Sequence, residues 1–255
     1  MKARSRSFSI PTRRSEFSRK SGSRQNWTCR QCLAELRRLG SRENSKGMAR
    51  FGIRAKIGYG VSKPKMDVLA RCVGKSHALA LELWSSGVHD ARILAGLVDQ
   101  ARMVTAAQMD RWVRDFDNWD VCDGTCCHLF AHTPLAWSKA VQWSRRSRQF
   151  QKRAGFALMA YLAVHDKHAA DHNFVRLLPI IRREAGDDRN FVRKAINWAL
   201  RQIGKRNLKL NRTAIREAER IRRIDSRSAR WIAADALREL RSEAVQRRLR
   251  QKSTR

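Results

Sequence analysis

Lys194-Ala195-Ile196-Asn197-Trp198-Ala199-Leu200 follows a charged turn, begins with a basic residue, is rich in small residues and ends in Ala-Leu. Two other segments share that pattern: Arg153-Ala154-Gly155-Phe156-Ala157-Leu158 before it, and Arg230-Trp231-Ile232-Ala233-Ala234-Asp235-Ala236-Leu237 after it. The closing leucines lie 42 and 37 residues apart, near the period of HEAT or armadillo helix pairs. Small residues let one helix of each pair approach its neighbours closely, and stacked pairs curve into a superhelix with a concave face. The pattern predicts an all-α helical-repeat solenoid. A shared packing requirement without true repetition would leave the same trace.

Outward from these segments the 3.6-residue period persists. Leu79, Leu83, Ile93, Leu94, Leu97 and Val98 form i, i+3, i+4 stripes. Thr105 followed by Gln108 reads as a capping box opening a helix through about residue 116. Helices are expected at 27–39, 119–131, 135–144, 148–165, 171–185, 188–203, 211–224, 227–239 and 241–250. Residues 47–63 hold Gly47, Gly52, Gly58 and Gly60 and read as a loop. Gly and Pro are expected at the ends of segments rather than inside them. Period-two β-branched runs do not occur. The expected organisation is a disordered basic tail at 1–26, one helical-repeat domain at 27–250 and a disordered 251–255.

The formal charge of +32 over 255 residues far exceeds what solubility requires. Residues 1–26 carry eight Lys/Arg against Glu16 alone, and 201–255 carry 18 against six acids, leaving a net +13 on the middle of the chain. Tails alone do not explain the excess. A field of that sign concentrates polyanions, so the expected partner is a nucleic acid, DNA or RNA. The other reading is an Arg-rich solvated surface of no specific use. Hydrophobic residues at 42% indicate a folded chain.

Six cysteines and no apolar leader point to a reducing compartment, and the expected location is cytoplasmic and nucleoid-associated. The Arg- and Ser-rich first 26 residues also suit a mitochondrial presequence, a DNA-contacting arm or an upstream start codon. Cys122, Cys126, Cys127, His128 and His132 suggest a metal cluster, as do Cys29 and Cys32, but a structural zinc site needs two well-spaced ligand pairs. Core cysteines are the expected reading, with no metal. His165, His168 and His172 read as a solvated turn. No P-loop or GxGxxG is present, which removes nucleotide-hydrolysing and dinucleotide-binding readings.

One acidic island interrupts the basic chain: Phe116-Asp117-Asn118-Trp119-Asp120-Val121-Cys122-Asp123. On a helix Trp119 and Asp123 share a face at i and i+4. A carboxylate facing DNA is electrostatically costly unless it has a task, although Asp120 could cap a helix and Asp123 could pair with an arginine of the next repeat. Trp119-Asp120-x-x-Asp123, then Lys152-Arg153-Ala154, then Asp188-Arg189-Asn190-Phe191-Val192-Arg193-Lys194-Ala195-Ile196-Asn197-Trp198-Ala199-Leu200-Arg201 together resemble the HEAT-like DNA alkylation repair family. The likeness runs from roughly residue 33 to residue 240, and Asn197 stands where relatives often have Gly.

The resemblance implies a stack of helical repeats holding duplex DNA on a basic concave face, and excision of N3- and N7-alkylated purines. It places the family's catalytic aspartate on Asp123 and its DNA- and lesion-binding residues on Trp119, Arg153 and Trp198. It implies a monomer with no metal or organic cofactor. These residue types suit the chemistry. An alkylated purine is already cationic and leaves readily, so the protein must chiefly stabilise the positive sugar, which a carboxylate does electrostatically. Indole faces contact cations, and an arginine holds a flanking phosphate. Some members of the wider family bind DNA without good catalysis, so a damage-sensing scaffold is the alternative; a protein-interaction platform is a further one.

Overall fold

The computed structural model describes residues 26–53 and 55–253. In chain order the helices are α1 (Cys29–Leu39), α2 (Arg42–Arg50), α3 (Lys63–Val73), α4 (His77–Ser85), α5 (His89–Val98), α6 (Ala106–Arg114), α7 (Trp119–His128), α8 (Ala136–Ser144), α9 (Gln149–His165), α10 (Asp171–Glu184), α11 (Asn190–Gly204), α12 (Leu208–Arg222), α13 (Arg227–Leu240) and α14 (Glu243–Ser253). No described residue is in a strand. No helix among them is long and apolar enough to cross a membrane.

Short polar side chains start many of these helices by accepting first-turn N–H groups that have no partner within the helix. Ser41, Ser76, Asn118, Asn207 and Ser226 act in this way. Thr28 and Gln31 form a complete capping box. At Thr105 only half of the expected box forms. Its hydroxyl accepts from Gln108 N at 3.2 Å, while the Gln108 amide turns away and donates to Asp99 Oδ2 at 2.7 Å.

The second helices of successive pairs, α5, α7, α9, α11 and α13, lie side by side in one layer, called the inner layer below. The first helices back them: α4 on α5, α8 on α9, α10 on α11 and α12 on α13. The three Ala-Leu segments fall on α9, α11 and α13, which occupy equivalent places in the stack. Ala154, Ala157, Ala195, Ala199, Ala233 and Ala236 are buried between them. A ladder of aromatic rings fills the core beneath: Trp84 stacks on Trp112 at 3.9 Å, and Phe116, Phe130 and Trp143 continue the chain of contacts.

Several sequence expectations need correction. Gly47 lies inside α2 rather than in a loop, because the Ser41 cap and Glu43 in the first turn favour a helix that one glycine weakens by only about 1 kcal/mol. Pro179 sits within α10, and Gly96, Gly124 and Gly155 sit within helices, so these residues do not only punctuate segment ends. Residues 251–253 continue α14 instead of being disordered. The tail expected at 1–26, apart from Asn26, and residues 254–255 lie outside the described residues.

Gly155 shows why the helices approach so closely. A Cβ there would stand 2.5 Å from Ser144 N and 2.9 Å from Ala140 O, both backbone atoms of α8. Backbone cannot yield as a flexible side chain can. Gly155→Ala is expected to destabilise the fold by about 1–3 kcal/mol through overpacking. Gly47→Ala, where an added Cβ meets nothing within 4 Å, is expected to stabilise by about 0.4–1 kcal/mol. Denaturant midpoints of the two variants check this, and equal effects would contradict the packing described.

Candidate active site on the inner helical face

Asn118 sets the start of α7. Its Oδ1 accepts from Asp120 N and Val121 N at 3.0 and 3.1 Å. Buried His89, at the start of α5, approaches Asp120 Oδ2 at 3.1 Å and Asn118 Nδ2 at 3.3 Å, which locks the two inner helices together. Asp120 therefore pairs with a histidine and Asn118 is the cap. From that start α7 presents Trp119, Asp123 and Cys127 at four-residue intervals along one face.

Asp123 is held by Arg153 of α9 in a bidentate pair. Arg153 Nε donates to Oδ1 at 2.8 Å and the adjacent terminal nitrogen donates to Oδ2 at 2.6 Å. The other terminal nitrogen donates to the Phe191 carbonyl at 2.6 Å, at the start of α11. One guanidinium thus fastens three inner helices. The Asp123 side chain is 15% exposed and that of Arg153 only 9%. Burial pushes the Asp123 carboxyl above its ordinary value, with Arg153 opposing that push. Burial alone would lower Arg153, and Asp123 more than reverses it.

Tyr161, two turns beyond Arg153 on α9, meets Trp198 of α11 edge-on at 4.8 Å. Burial raises the Tyr161 hydroxyl above its usual range, with the nearby charge of Asp123 adding to it. At the other end, Trp119 Nε1 donates to the Phe51 carbonyl at 2.8 Å, which draws the segment after α2 across the start of α7. Gly52, at φ +78°, passes so close to Phe191 that an added Cβ would stand 2.8 Å from the tip of its ring. Asp90 anchors the same segment by accepting from Tyr59 N at 2.6 Å and Val61 N at 2.8 Å. Between α2, this segment, α5 and α7 lies a cleft of about 800 Å³ with Trp119 on one wall and Lys46, Arg50 and Lys63 at its border.

Asp123, Trp119, Arg153 and Trp198, chosen from sequence, thus sit on or beneath one inner surface, but their roles in the structure differ. Trp119 and Trp198 are half-buried. Asp123 takes the partner that the alternative reading allowed, an arginine of the next repeat. Arg153, expected to hold a phosphate, points inward with three N–H groups engaged by protein acceptors. Asn197 is buried, and its Nδ2 donates to Asp235 Oδ2 at 2.6 Å on α13. Sequence reading missed Tyr161, Cys127, Phe191 and the segment at 51–61. The four-residue interval was available for two of them: Cys127 follows Asp123 by four, and Tyr161 follows Arg153 by eight. Cys122 and Cys126 lie in the core, and among the described residues no three His, Cys, Asp or Glu side chains converge as a metal-ligand set.

A family model described as DNA alkylation repair enzyme matches residues 32–240. The chain belongs to the DNA alkylation repair enzyme family. Among solved structures, one described as representing a new family of proteins related to the HEAT-like repeat DNA glycosylases with affinity for branched DNA structures shares its fold. The TM-score is 0.70 at 18% identity, covering 84% of this chain and 95% of that one. No curated protein matches.

The pair's energetics give a direct test. Removing one partner of a buried ion pair costs about 3–5 kcal/mol, because a charge is left uncompensated. Arg153→Met should lower stability on that scale. The sign of its pH dependence follows from the raised Asp123 value. A carboxyl whose folded pKa is raised contributes stability that is full below the unfolded value and is lost as pH rises through the folded one. Loss of the guanidinium raises the folded value further. The deficit of Arg153→Met relative to wild type should therefore be larger at about pH 8 than at about pH 5. A deficit that does not change with pH, followed by thermal melting, would contradict the pairing.

Proposed function

We propose that this chain excises N3- or N7-alkylated purines from duplex DNA by hydrolysing the N-glycosidic bond. One observation carries the reading: Asp123, a carboxylate held rigidly by Arg153, keeps an exposed edge on a surface shared with Trp119, Tyr161 and Trp198. Breaking the bond leaves positive charge on the sugar while the cationic base departs neutral, so no strong general acid is needed. Asp123 stabilises that charge and orients the attacking water. Arg153 is a positioning residue, fixing the carboxylate without touching substrate. The half-buried indoles contact cationic base or sugar, each contributing about 0.5–2 kcal/mol.

A second reading has its own support. Both Asp123 oxygens are already engaged by Arg153, and the structural relative is described by its affinity for branched DNA. In that reading the chain is a non-catalytic scaffold for distorted or branched duplex, and the Asp123–Arg153 pair is purely structural.

Release of free base from methylated duplex by the purified protein separates the two. The glycosylase reading expects release by wild type. It also expects Asp123→Asn to lower single-turnover release by about 10²–10³-fold, the scale of removing one electrostatic stabiliser. DNA affinity should hold or improve, because a negative charge leaves a basic face. No release by wild type, together with tighter binding of junction than of linear duplex, would leave the scaffold reading standing.

A further inference from the structure

The inner face leaves a question that Arg153 does not answer: which cations grip the DNA backbone beside the aromatic pair. A cleft of about 520 Å³ lies between the α9–α10 turn, the end of α11 with the residues leading into α12, and α14. Lys167, Lys205, Arg206, Arg248 and Lys252 border it. Asp171 is the one acid among the described residues of its lining, and Asp171 Oδ1 already accepts from Asn207 Nδ2 at 2.8 Å.

Two of the five cations are built into the wall. Lys205 Nζ donates to Glu239 Oε1 at 2.6 Å. Arg206 donates to the carbonyls of Ala163, Lys167 and Ala169 at 3.2, 3.1 and 3.0 Å, and lies over the Phe174 ring at 4.4 Å. Those carbonyls belong to the end of α9 and the turn after it, where unsatisfied C=O groups favour a cation. The other three are different. Lys167, Arg248 and Lys252 are exposed and pair with no carboxylate among the described residues; Arg248 reaches only the Lys205 carbonyl, at 3.5 Å. Burial lowers the Lys252 ammonium, and the proximity of Arg248, Lys167 and Arg206 lowers it further. Like charges that outnumber the one carboxylate among the described lining residues repel, and an anion in the cleft relieves that repulsion. The start of α10 also borders the cleft and has no side-chain cap, although Asn173 N donates to the Ala170 carbonyl at 3.0 Å.

The cleft is close to the candidate active site. Gln202, on its wall, follows Trp198 by one turn of α11, about 6 Å along the axis. His165, at the end of α9, stacks on Tyr161 at 5.9 Å. A strand crossing the Tyr161–Trp198 pair therefore has its next backbone segment over these cations. We propose that this cleft is a phosphodiester-binding site that grips DNA backbone beside the aromatic face. It rests on the DNA-binding part of the function proposed above and not on catalysis.

The test replaces Lys167, Arg248 and Lys252 by glutamine in the full chain. A control triple variant, Arg37→Gln, Arg71→Gln and Arg111→Gln, removes the same charge from exposed positions on α1, α3 and α6. Binding of linear duplex is measured against salt concentration. Each neutralised phosphate contributes about −0.9 to the log–log slope, so the cleft variant should be shallower by about one to two units and bind about tenfold more weakly at low salt. The control should keep the wild-type slope. The cleft variant should melt no lower than wild type, since repulsion is relieved. Equal slopes for the two variants would overturn the proposal. So would saturable binding of inorganic phosphate by wild type alongside an unchanged DNA slope in the cleft variant, which would assign the site to a free anion. A wild-type protein with no salt-dependent DNA affinity would overturn the DNA reading itself.

Discussion

The bidentate contact between Arg153 and Asp123 is the constraint on which the inner face depends. Two charges taken out of water are costly to bury, and they persist here because both carboxylate oxygens and a third acceptor, the Phe191 carbonyl, complete the guanidinium's hydrogen bonding. Since the three groups lie on α7, α9 and α11, one side chain sets the spacing of adjacent repeats where the aromatic residues line the surface. The same device recurs further along the stack. Asn197 and Arg201 of α11 reach Asp235 and Glu239 of α13, and Lys205 joins Glu239. Many of the scarce acids are thus used within the protein to tie helices together, and many cations among the described residues pair with no carboxylate.

Much of the fold was legible in the sequence because its rules are local. The small-residue runs ending in Leu158, Leu200 and Leu237 marked α9, α11 and α13, since only small side chains allow the approach seen at Gly155. The helix start at Thr105 followed from side-chain capping. The α2 region was misread because four glycines in seventeen residues suggest a loop, while the cap at Ser41 and the absence of any clash at Gly47 permit a helix. Pro179 within α10 has the same character: local propensity gave way to the helix around it.

The site was legible only in part. Residue type and four-residue spacing brought Trp119 and Asp123 to one face, and the family resemblance added Arg153 and Trp198. Whether Arg153 points outward to a phosphate or inward to Asp123 depends on the distance between neighbouring repeats, which no short motif encodes. The bridge from Phe51 to Trp119 and from Gly52 to Phe191 joins positions far apart in the chain, through a segment whose glycines marked it only as a loop. The cation cleft was likewise invisible. Lys167, Arg206 and Lys252 are unremarkable in so basic a sequence until the fold gathers them.

The most direct test of Asp123 as a reactive carboxylate held by a structural partner is a double-mutant cycle with Asp123→Leu and Arg153→Met. Stability and single-turnover base release are measured on the same four proteins. Each single change should cost about 3–5 kcal/mol, and the double variant should return toward wild-type stability, because an apolar pair can replace a buried ion pair. Base release should stay lost in both proteins that lack the carboxylate. Additive destabilisation would contradict the pairing, and base release restored in the stable double variant would contradict the chemical role of Asp123.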